Sequence, residues 1–489
     1  KTLRFYKKYK IYLKKTKIIA TLGPASSDKE VILQLIQAGA DVFRINFSHA
    51  DYDLVSRNVQ MIRELNQEYG FSVGILGDLQ GPKLRVGVVK EGSYLNPGDI
   101  LTFTNEKIEG DSKRVYMTYQ KFPQDVKAGE RILIDDGKLV LEVLETNNID
   151  TVRAKTIQGG PLSSKKGVNL PNTNVSLPAL TEKDIEDANF MLDLELDWIA
   201  LSFVRHAQDI IDLKEIMKNH PTNKHKTPII AKIEKPEGVK NIEEILQECD
   251  GLMVARGDLG VEVPMEEVPA IQKNLVEIAR KHSKPVIIAT QMMETMITSL
   301  TPTRAEVNDV ANSVLDGADA VMLSGETSVG RYPVDVVKNM SKIVKNIEQT
   351  HFYQTKNSPI EREFNCIDER FITNRVCLAA VRIAKSTNVE AIITLTYSGY
   401  TAFQISAHRP NSNIIVFSSN KRVLTMLNLL WGVRAYYYDM QKSTDETIVQ
   451  VNMLAHTHGF VENGDFVINL NATPAYEGGK TNTLRLTTI

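Results

Sequence analysis

Two short apolar runs in this chain end in charged residues that could act together on an anionic substrate. One run ends in Lys232-Ile-Glu234, and the other is followed directly by Arg256-Gly257-Asp258. Because buried parallel strands are continuous apolar runs, charge at the C-terminal end of such a run is unusual for a core. Carboxylate oxygens are ligands that Mg²⁺ prefers, and Lys232 would add a fixed ammonium beside the ion. The pattern indicates a metal-assisted site; the alternative is that Lys232 and Arg256 neutralise the two carboxylates as structural ion pairs.

Bringing the two runs together requires neighbouring strands, and the chain contains a repeating strand–helix pattern. The apolar runs are Lys17–Leu22, Asp41–Phe47, Ser72–Gly77, Asp197–Phe203, Pro228–Ile233, Leu252–Ala255, Pro285–Ala289 and Asp319–Leu323. The amphipathic segments between them include Asp28–Ala38, Ile210–Asn219, Ile242–Glu248, Glu266–His282, Pro302–Leu315 and Val334–Glu348. This alternation predicts a parallel sheet of the α/β class. Eight units favour a closed (β/α)₈ TIM-type barrel, in which sites form at the C-terminal strand ends; an open doubly wound sheet is the alternative.

Functional side chains gather at the predicted C-terminal ends of these strands. They are Arg44 and Asn46, Asp78, Ser202, Lys232 and Glu234, Asp258, Thr290 and Gln291, and Ser324 and Glu326. The N-terminal ends instead carry turn residues, as in His282-Ser-Lys-Pro285. A pattern set only by surface exposure would place polar side chains at both ends. The asymmetry therefore predicts one shared site at the carboxyl face of the barrel.

The repeat is interrupted after its third strand. From residue 83 to 177, short alternating runs separated by Gly and Asn turns predict an inserted all-β domain, placed to act as a lid that excludes water. After residue 349 a new series of strands and helices predicts a C-terminal α/β sheet domain. The predicted organisation is a basic N-terminal tail (1–14), a barrel in two parts (15–82 and 178–349), the inserted β-barrel lid (83–177) and the C-terminal domain (350–489).

Composition excludes several classes of function. The 489 residues carry a formal net charge of −2, whereas a nucleic-acid-binding protein is expected to be basic. No apolar run approaches the ~20 residues that cross a bilayer. The three cysteines (Cys249, Cys366 and Cys377) are too scattered for a disulfide framework or a zinc site, which favours a cytoplasmic location. The Lys-rich segment 1–17 lacks the apolar core of a secretory signal; a solvated tail is expected, with the remnant of a longer precursor or of a transit peptide as alternatives.

Further residues near the strand ends suit a phosphorylated substrate. The guanidinium groups of Arg44 and Arg85 offer planar forks for phosphoryl oxygens. Gly257 permits close backbone approach, so its amide and that of Asp258 could bind a carboxylate. Thr290 adds a hydroxyl facing the same space. The set suits chemistry on an anionic substrate.

A nucleotide would have to be held by cations, because the sequence contains no P-loop and no kinase-type glycine-rich loop. Lys166, in Lys165-Lys166-Gly167 near the return from the insertion, could reach a nucleotide phosphate when the lid closes; a solvated turn is the alternative. His49 could act as a general acid or base by residue type, although a phosphate contact or a buried structural histidine suits it better.

Long motifs in the chain resemble those of the pyruvate kinase family. They are Thr16–Pro24 (TKIIATLGP), Arg44–His49 (RINFSH), Gly77–Arg85 (GDLQGPKLR), Lys166–Pro171 (KGVNLP), Ala231–Glu234 (AKIE), Met253–Glu262 (MVARGDLGVE), Ala289–Met292 (ATQM), Pro302–Glu306 (PTRAE), Asp309–Asn312 (DVAN) and Met322–Thr327 (MLSGET). The resemblance runs from about residue 15 to the C-terminus. It implies transfer of a phosphoryl group from phosphoenolpyruvate to ADP, giving pyruvate and ATP, by a cytoplasmic homotetramer that binds neither nucleic acid nor membrane.

The resemblance also implies roles for individual residues. Glu234 and Asp258 would hold Mg²⁺, for which Mn²⁺ could substitute. Lys232 would stabilise charge on the phosphoryl group and the enolate, and Thr290 would help to relay the proton. The phosphate would bind Arg44, and the carboxylate would bind Gly257, Asp258 and Thr290. The nucleotide would meet Arg85 and Lys166, with Asn46 and His49 nearby. Such an arrangement fits phosphoryl transfer, which depends mainly on positioning and charge stabilisation.

One departure from the family concerns a monovalent cation. Potassium-dependent members usually carry Thr-Lys-Gly-Pro-Glu after the aspartate, whereas this chain has Leu79-Gln-Gly-Pro-Lys83. The Lys83 ammonium could replace K⁺, so activity without K⁺ is predicted. The potassium site that Asn46, Ser48 and Asp78 would form is correspondingly in doubt.

A second departure concerns regulation by the C-terminal domain. The segments around Thr396, Ser398, Gly399 and Thr401, and around Gly479 and Thr481, resemble the family's effector loops, which cradle a phosphate. However, Gln450 stands where an arginine is expected for activation by fructose 1,6-bisphosphate. A different sugar phosphate, a nucleoside monophosphate or no effector are the alternatives.

Two rival functions are weighed against a kinase. A metal-dependent carbon–carbon lyase acting on pyruvate or oxaloacetate also places carboxylates on strand tips, but it lacks an inserted lid and residues such as Arg85 and Lys166. A sugar-phosphate sensor with an inactive barrel would require the loss of Lys232, Glu234 or Asp258, and all three are present.

Overall fold

A computed structural model of the protein describes residues 14–221, 226–356, 368–439, 443–473 and 479–489. In this structure, the first strand–helix units form where the sequence predicts them. The elements are β1 (Lys17–Thr21), α1 (Lys29–Ala38), β2 (Val42–Asn46), α2 (Tyr52–Tyr69) and β3 (Gly74–Asp78). Local sequence sets the limits of α1: the Asp28 side chain accepts a hydrogen bond from the Glu30 amide, and Gly39 ends the helix with φ +120°. Arg44 lies in β2 and Asp78 ends β3, so these elements position two of the predicted site residues.

The insertion after β3 is a β domain with its own core, and most of its strands pair in antiparallel. Its elements are β4 (Tyr94–Leu95), β5 (Ile100–Thr104), β6 (Arg114–Tyr116), α3 (Phe122–Asp125), β7 (Arg131–Ile134), β8 (Leu139–Thr146), β9 (Thr151–Gln158), β10 (Gly160–Pro161) and β11 (Val168–Asn169). Six strands pair in the order β11-β7-β8-β9-β5-β6, and β10 pairs with β4. Buried side chains such as Phe103, Phe122 and Leu141 form a cluster separate from that of the barrel. The insertion is therefore a compact lobe.

The chain then returns to complete the strand–helix series. The elements are α4 (Glu182–Asp193), β12 (Trp198–Leu201), α5 (Ala207–Asn219), β13 (Ile229–Ile233), α6 (Pro236–Lys240), α7 (Ile242–Glu248), β14 (Gly251–Ala255), α8 (Arg256–Glu262), α9 (Val268–Lys281), β15 (Val286–Ala289), α10 (Arg304–Asp316), β16 (Ala320–Leu323), α11 (Gly325–Ser328), α12 (Pro333–Glu348) and α13 (His351–Lys356).

Eight parallel strands close into a barrel in the order β1-β16-β15-β14-β13-β12-β3-β2. Closure is complete because β1 pairs in parallel with both β16 and β2. Apolar side chains such as Trp198, Ile230 and Met253 are fully buried in one cluster contributed by successive strands, as expected of a packed barrel interior. The predicted barrel is confirmed, and the open doubly wound sheet is wrong.

One predicted strand is shorter than its apolar run, for a local reason. The run Asp197–Phe203 forms a strand only over Trp198–Leu201. Phe203 has φ +55°, outside the β region, and its backbone amide donates a hydrogen bond to Glu234 Oε2 at 2.6 Å. The end of the run leaves the sheet and turns towards the neighbouring strand tip.

The C-terminal region is a second sheet with helices. Its elements are α14 (Phe371–Thr387), β17 (Ala391–Leu395), α15 (Tyr400–Ala407), β18 (Asn413–Ser418), α16 (Lys421–Leu427), β19 (Val433–Tyr437), α17 (Thr444–Thr457), β20 (Phe466–Asn471) and β21 (Thr483–Thr488). The strand order is β19-β18-β17-β20-β21, with β21 antiparallel at the edge. The predicted α/β sheet domain is confirmed.

This C-terminal domain packs against the amino ends of the barrel strands. Lys17 Nζ, at the start of β1, donates to the Val433 carbonyl at 2.8 Å. Trp198 Nε1, at the start of β12, donates to the Met426 carbonyl at 3.0 Å. The carboxyl ends of the strands are left facing the inserted domain. None of the described helices is long and apolar enough to cross a membrane.

Candidate active site at the carboxyl ends of the barrel strands

Lys232 lies at the centre of a buried polar cluster. Its Nζ donates to Ser202 Oγ at 2.6 Å and lies 3.1 Å from both Asp78 Oδ1 and Glu234 Oε1. Burial by itself lowers the pKa of Lys232, but the carboxylates of Asp78 and Glu234 outweigh it and hold the pKa above its ordinary value. Lys232 is therefore a fixed ammonium at neutral pH.

Asp78 is shared between two cations. Arg44 Nε donates to Asp78 Oδ2 at 2.7 Å and its Nη2 lies 2.6 Å away, while Arg44 Nη1 donates to Thr21 Oγ1 at 3.2 Å. Burial raises the pKa of Asp78, yet Lys232 and Arg44 together hold it below its ordinary value. A permanent carboxylate thus fixes the directions of Arg44 and Lys232, and it leaves further N–H donors of Arg44 for an anion.

Glu234 and Asp258 have the properties of a metal-binding pair. Burial raises the pKa of Glu234, Lys232 opposes the rise and Asp258 adds to it, with a net result above the ordinary value. Glu234 is buried and Asp258 is half-buried, and a cation between two such carboxylates would offset their mutual repulsion. Among the described residues, no group of three or more His, Cys, Asp or Glu side chains could hold a metal. A two-carboxylate pair suits Mg²⁺, which keeps waters and takes substrate oxygens as its other ligands.

Thr290 adopts a strained backbone conformation that the structure holds in place. Its φ is +68°, which is costly for a β-branched residue. Its Oγ1 accepts a hydrogen bond from the Gly257 amide at 2.7 Å and donates to the Ala289 carbonyl at 2.6 Å. Arg256 Nη2 donates to the Thr290 carbonyl at 2.7 Å, and Arg256 forms a bidentate pair with Asp309 at 2.6 and 2.7 Å. Arg256 is thus a structural residue that fixes Thr290.

The inserted domain faces the barrel tips across a cavity of about 300 Å³. Arg85, Lys166 and Lys83 line it from the side of the insertion, and Asp258 lines it from the barrel. Arg85 Nη1 donates to the Lys165 carbonyl at 2.8 Å, and Lys166 Nζ lies 3.0 Å from Asp135 Oδ1. The two predicted nucleotide-binding cations are therefore neighbours, across the cavity from Asp258.

The remaining predicted barrel residues lie at the tip of β2. Asn46 is the register partner of Asp78, and its side chain accepts a hydrogen bond from the Ser48 amide at 3.1 Å. This bond caps a 3₁₀ turn, Phe47–His49. Asn46, Ser48 and Asp78 thus lie on adjacent strand tips. The side chain of His49 lies outside the described part of the chain.

The predicted effector residues belong to the C-terminal sheet domain. Thr396 Oγ1 accepts a hydrogen bond from the Gly399 amide at 3.0 Å, and the hydroxyls of Thr401 and Thr481 are 2.8 Å apart. Ser398 is exposed, and Gly479 is half-buried. Residues 474–478, part of the second predicted loop, lie outside the described residues. The structure thus brings the two segments together at Thr401 and Thr481.

Sequence reasoning missed several residues that organise the site. It placed Asp78 at the shared site and in a possible potassium site but did not predict its pairing with Arg44 and Lys232. It gave no role to Asp309 or to a buried contact in which Glu262 meets Lys235 and Asn169. The only available signal was their position inside the long motifs. Which carboxylate pairs with which cation depends on how helices α8 and α10 pack, and local sequence does not reveal that.

Comparison with known proteins agrees with this geometry. The barrel-domain model of pyruvate kinase matches residues 13–337, and the alpha/beta-domain model of pyruvate kinase matches residues 374–487. A pyruvate kinase from Mycobacterium intracellulare is 42% identical over 479 residues, which cover 96% of this chain and 97% of that protein. Pyruvate kinase 2 from Synechocystis is 42% identical over 480 residues, which cover 97% of this chain and 79% of that protein.

A solved structure shares the whole fold. The crystal structure of a pyruvate kinase from Cryptosporidium parvum matches with a TM-score of 0.89 and 35% sequence identity, covering 97% of this chain and 96% of that one. Since both domain models and these relatives extend over nearly the full chain, the chain belongs to the pyruvate kinase family of phosphotransferases.

Proposed function

We propose that the barrel site transfers the phosphoryl group of phosphoenolpyruvate to ADP with the help of Mg²⁺ and without a requirement for K⁺. The observation that carries this proposal is the position of Lys232, a buried ammonium held 3.1 Å from both Asp78 and Glu234. Such a preorganised charge stabilises a transition state without reorganisation during the reaction.

Glu234 and Asp258 would hold the divalent ion, and Mn²⁺ is expected to substitute for Mg²⁺. When bound, the ion would neutralise negative charge on phosphoryl and enolate oxygens. Lys232, whose Nζ lies 3.1 Å from Glu234 Oε1, would stabilise the same charge. Arg44, fixed by Asp78, would bind the phosphoryl oxygens with its free guanidinium donors.

The carboxylate of phosphoenolpyruvate would bind the amides of Gly257 and Asp258 and the hydroxyl of Thr290. The Gly257 amide donates to Thr290 Oγ1, so a bound carboxylate would share this donor with the threonine. With the carboxylate bound there, the Thr290 hydroxyl would lie near the enolate carbon chain and would relay the proton that converts enolpyruvate to pyruvate. ADP would lie between the barrel and the insertion, against Arg85 and Lys166, with Asn46 and His49 at its margin.

A coupled assay tests the reaction. Pyruvate is followed through lactate dehydrogenase while phosphoenolpyruvate, ADP and Mg²⁺ are omitted in turn. We expect pyruvate formation only when all three are present. Pyruvate formed from oxaloacetate without ADP would support a carbon–carbon lyase, and binding without turnover would support a sugar-phosphate sensor.

Lys83 supports independence from K⁺, because its exposed side chain lines the cavity and brings an ammonium to the face of the barrel. Initial rates in potassium-free and potassium-containing buffers should agree within about threefold. A fall of about two orders of magnitude in potassium-free buffer would refute this part of the proposal and return Asn46, Ser48 and Asp78 to a potassium site.

We also propose a phosphorylated effector at the segments of Thr396, Ser398, Gly399, Thr401, Gly479 and Thr481, a homotetramer, and a cytoplasmic location. The effector proposal is supported by the proximity of Thr401 and Thr481. Gln450 accepts a hydrogen bond from the Tyr438 hydroxyl at 2.7 Å and offers no cation to a phosphate. Titrating sugar phosphates and nucleoside monophosphates against the phosphoenolpyruvate saturation curve tests the effector, and light scattering tests the tetramer.

A further inference from the structure

Glu262 is a buried carboxylate at the far end of the helix that begins with the substrate-binding residues. Helix α8 starts at Arg256-Gly257-Asp258 and ends at Glu262. Asp258 and Glu262 are four residues apart and therefore lie on the same face of the helix. The Glu262 side chain is fully buried, and a buried charge requires compensation from its neighbours.

That compensation comes from two separate parts of the molecule. Lys235 Nζ, one residue after the metal ligand Glu234, donates to Glu262 Oε1 at 2.6 Å. Asn169 Nδ2, in strand β11 of the inserted domain, donates to the same oxygen at 2.7 Å. The carboxylate thus joins three pieces of the site: the tip of β13, helix α8 and the nucleotide-facing lobe.

The hydrogen bond between Asn169 and Glu262 lies at a different place from the hydrogen bonds by which Arg205 also joins the barrel to the insertion. In the described part of the chain, Arg205 donates to the carbonyls of Val175 and Leu177, both at 2.6 Å, where the insertion returns to the barrel. Asn169 lies three residues after Lys166 and lines the cavity between the domains. Arg205 therefore holds the segment through which the insertion rejoins the barrel, whereas Glu262 holds the face of the insertion that lines the cavity.

We infer that Glu262 is a positioning residue that fixes the inserted domain, through Asn169, at the separation from the barrel that ADP binding requires. The second carboxylate oxygen, Oε2, is buried without a hydrogen-bond partner among the described residues. With only one oxygen satisfied, the loss of the Asn169 donor is costly. This inference rests on the proposed kinase function, because it assigns the lobe to the nucleotide.

The test is the replacement Asn169→Ala, which removes the donor from the lobe and leaves the ion pair between Lys235 and Glu262 intact. We expect the KM for ADP to rise about tenfold, the size of effect that a hydrogen bond to a charged group can supply. The KM for phosphoenolpyruvate should change by less than about twofold, since its ligands belong to the barrel. A purely structural role would not separate the two KM values.

A matched control is Asn172→Ala in the same lobe. Asn172 is exposed, and its side chain accepts a hydrogen bond from the Arg131 amide at 3.4 Å within the insertion. The control should leave both KM values unchanged. Equal effects of the two replacements, or an unchanged KM for ADP in Asn169→Ala, would overturn the inference.

The partner residue supplies a second measurement. In a double-mutant cycle with Glu262→Gln, the effect of Asn169→Ala on the KM for ADP should largely disappear, because the charged acceptor is already gone. Additive effects would overturn the inference. If Glu262→Gln does not fold, the difference between Asn169→Ala and Asn172→Ala in the KM for ADP still tests the inference. The wild-type chain in the same assay separates the outcomes: inactivity refutes the proposed function, and an active Asn169→Ala with normal kinetics refutes only the role of Glu262.

Discussion

Lys232 is the residue on which the proposed chemistry depends most. It is the buried ammonium that contacts Ser202, Asp78 and Glu234 together. Replacing it by Met keeps the aliphatic stem and removes the charge. We predict that Lys232→Met lowers kcat by about 10²–10³-fold or more, the effect of deleting one preorganised electrostatic group.

The measurement for Lys232→Met is kcat in the coupled assay, together with Mn²⁺ and phosphoenolpyruvate binding. Both ligands should still bind, because Glu234, Asp258 and Arg44 remain. A melting temperature close to that of the wild type controls for folding. A variant that keeps more than about a tenth of the wild-type kcat would contradict the role.

The strained conformation of Thr290 depends on Arg256, and Arg256 depends on Asp309. We predict that Asp309→Asn lowers kcat about tenfold, because weakening this half-buried bidentate ion pair loosens the contact of Arg256 with the Thr290 carbonyl. Deuterium exchange at the methyl group of pyruvate should slow in parallel, since the hydroxyl of Thr290 is the proposed proton relay.

The control for Asp309→Asn is Asp316→Asn, at the end of the same helix. Asp316 accepts a hydrogen bond from Gln272 Nε2 at 2.9 Å and pairs with Lys273, and neither contact involves Thr290. This variant should keep normal exchange. Equal slowing in both variants would show that general loosening of α10 is responsible.

At the scale of elements, helix α8 approaches β15 closely enough to constrain one glycine. A Cβ atom added at Gly257 would lie 3.3 Å from Thr290 Oγ1, whereas one at Gly260 would meet Val268 Cγ2 at 3.7 Å. We predict that Gly257→Ala lowers kcat/KM for phosphoenolpyruvate about tenfold by displacing the Thr290 hydroxyl. Gly260→Ala gains the same helix propensity without the contact and should keep wild-type kinetics; equal kinetics in the two variants would refute the claim.

The elements themselves were largely predictable from sequence, because a buried strand must be apolar for its whole length. The predicted runs Pro228–Ile233, Pro285–Ala289 and Asp319–Leu323 form strands that each begin one residue later and end at the predicted residue. The turns at the tips were not predictable. Phe203 and Thr290 both have positive φ, which bulky side chains seldom adopt. Their conformations are imposed by Glu234 and Arg256, which come from other strand units.

The candidate site, like the elements, was predictable from the sequence only in part. Charged residues that follow the apolar runs, at Lys232, Glu234 and Asp258, indicate a shared site from the sequence alone. The pairing of Arg256 with Asp309 and of Glu262 with Asn169 could not be predicted, since each joins residues more than fifty positions apart. Such contacts are set by the packing of α8 against α10 and the insertion.

At the scale of the whole molecule, the C-terminal domain covers one end of the barrel and the site occupies the other. Lys17 lies at their junction, fully buried, and donates to the Val433 carbonyl at 2.8 Å and to Asn428 Oδ1 at 3.3 Å. Burial lowers the pKa of Lys17 well below its ordinary value, and Arg434 and Lys14 lower it further, although Asp41 raises it. Because the pKa of Lys17 is lower in the folded chain than in the unfolded one, burying this amino group costs stability at neutral pH.

We predict that Lys17→Met raises the free energy of unfolding by about 1 kcal/mol or more at pH 7, because an apolar side chain replaces a buried amino group whose protonation is disfavoured by folding. The pKa of Lys17 is lower in the folded chain than in the unfolded one. As pH rises through the folded value, the unfolded chain keeps its proton, so wild-type stability increases with pH up to the unfolded pKa. Melting temperatures from pH 7 to 9 should rise less steeply in the variant. A lower melting temperature for Lys17→Met would show that its two hydrogen bonds outweigh the cost of burial.

The central claim concerns the whole enzyme: one barrel site moves a phosphoryl group from phosphoenolpyruvate to ADP through Lys232 and the pair Glu234 and Asp258. Phosphorus NMR of the wild-type chain with both substrates and Mg²⁺ tests it most directly. We predict that the phosphoenolpyruvate signal declines as the γ-phosphate signal of ATP grows in equal amount, and that neither changes without Mg²⁺ or in Glu234→Gln. Loss of the phosphoenolpyruvate signal to inorganic phosphate, or ATP formation at the wild-type rate in Glu234→Gln, would contradict the claim.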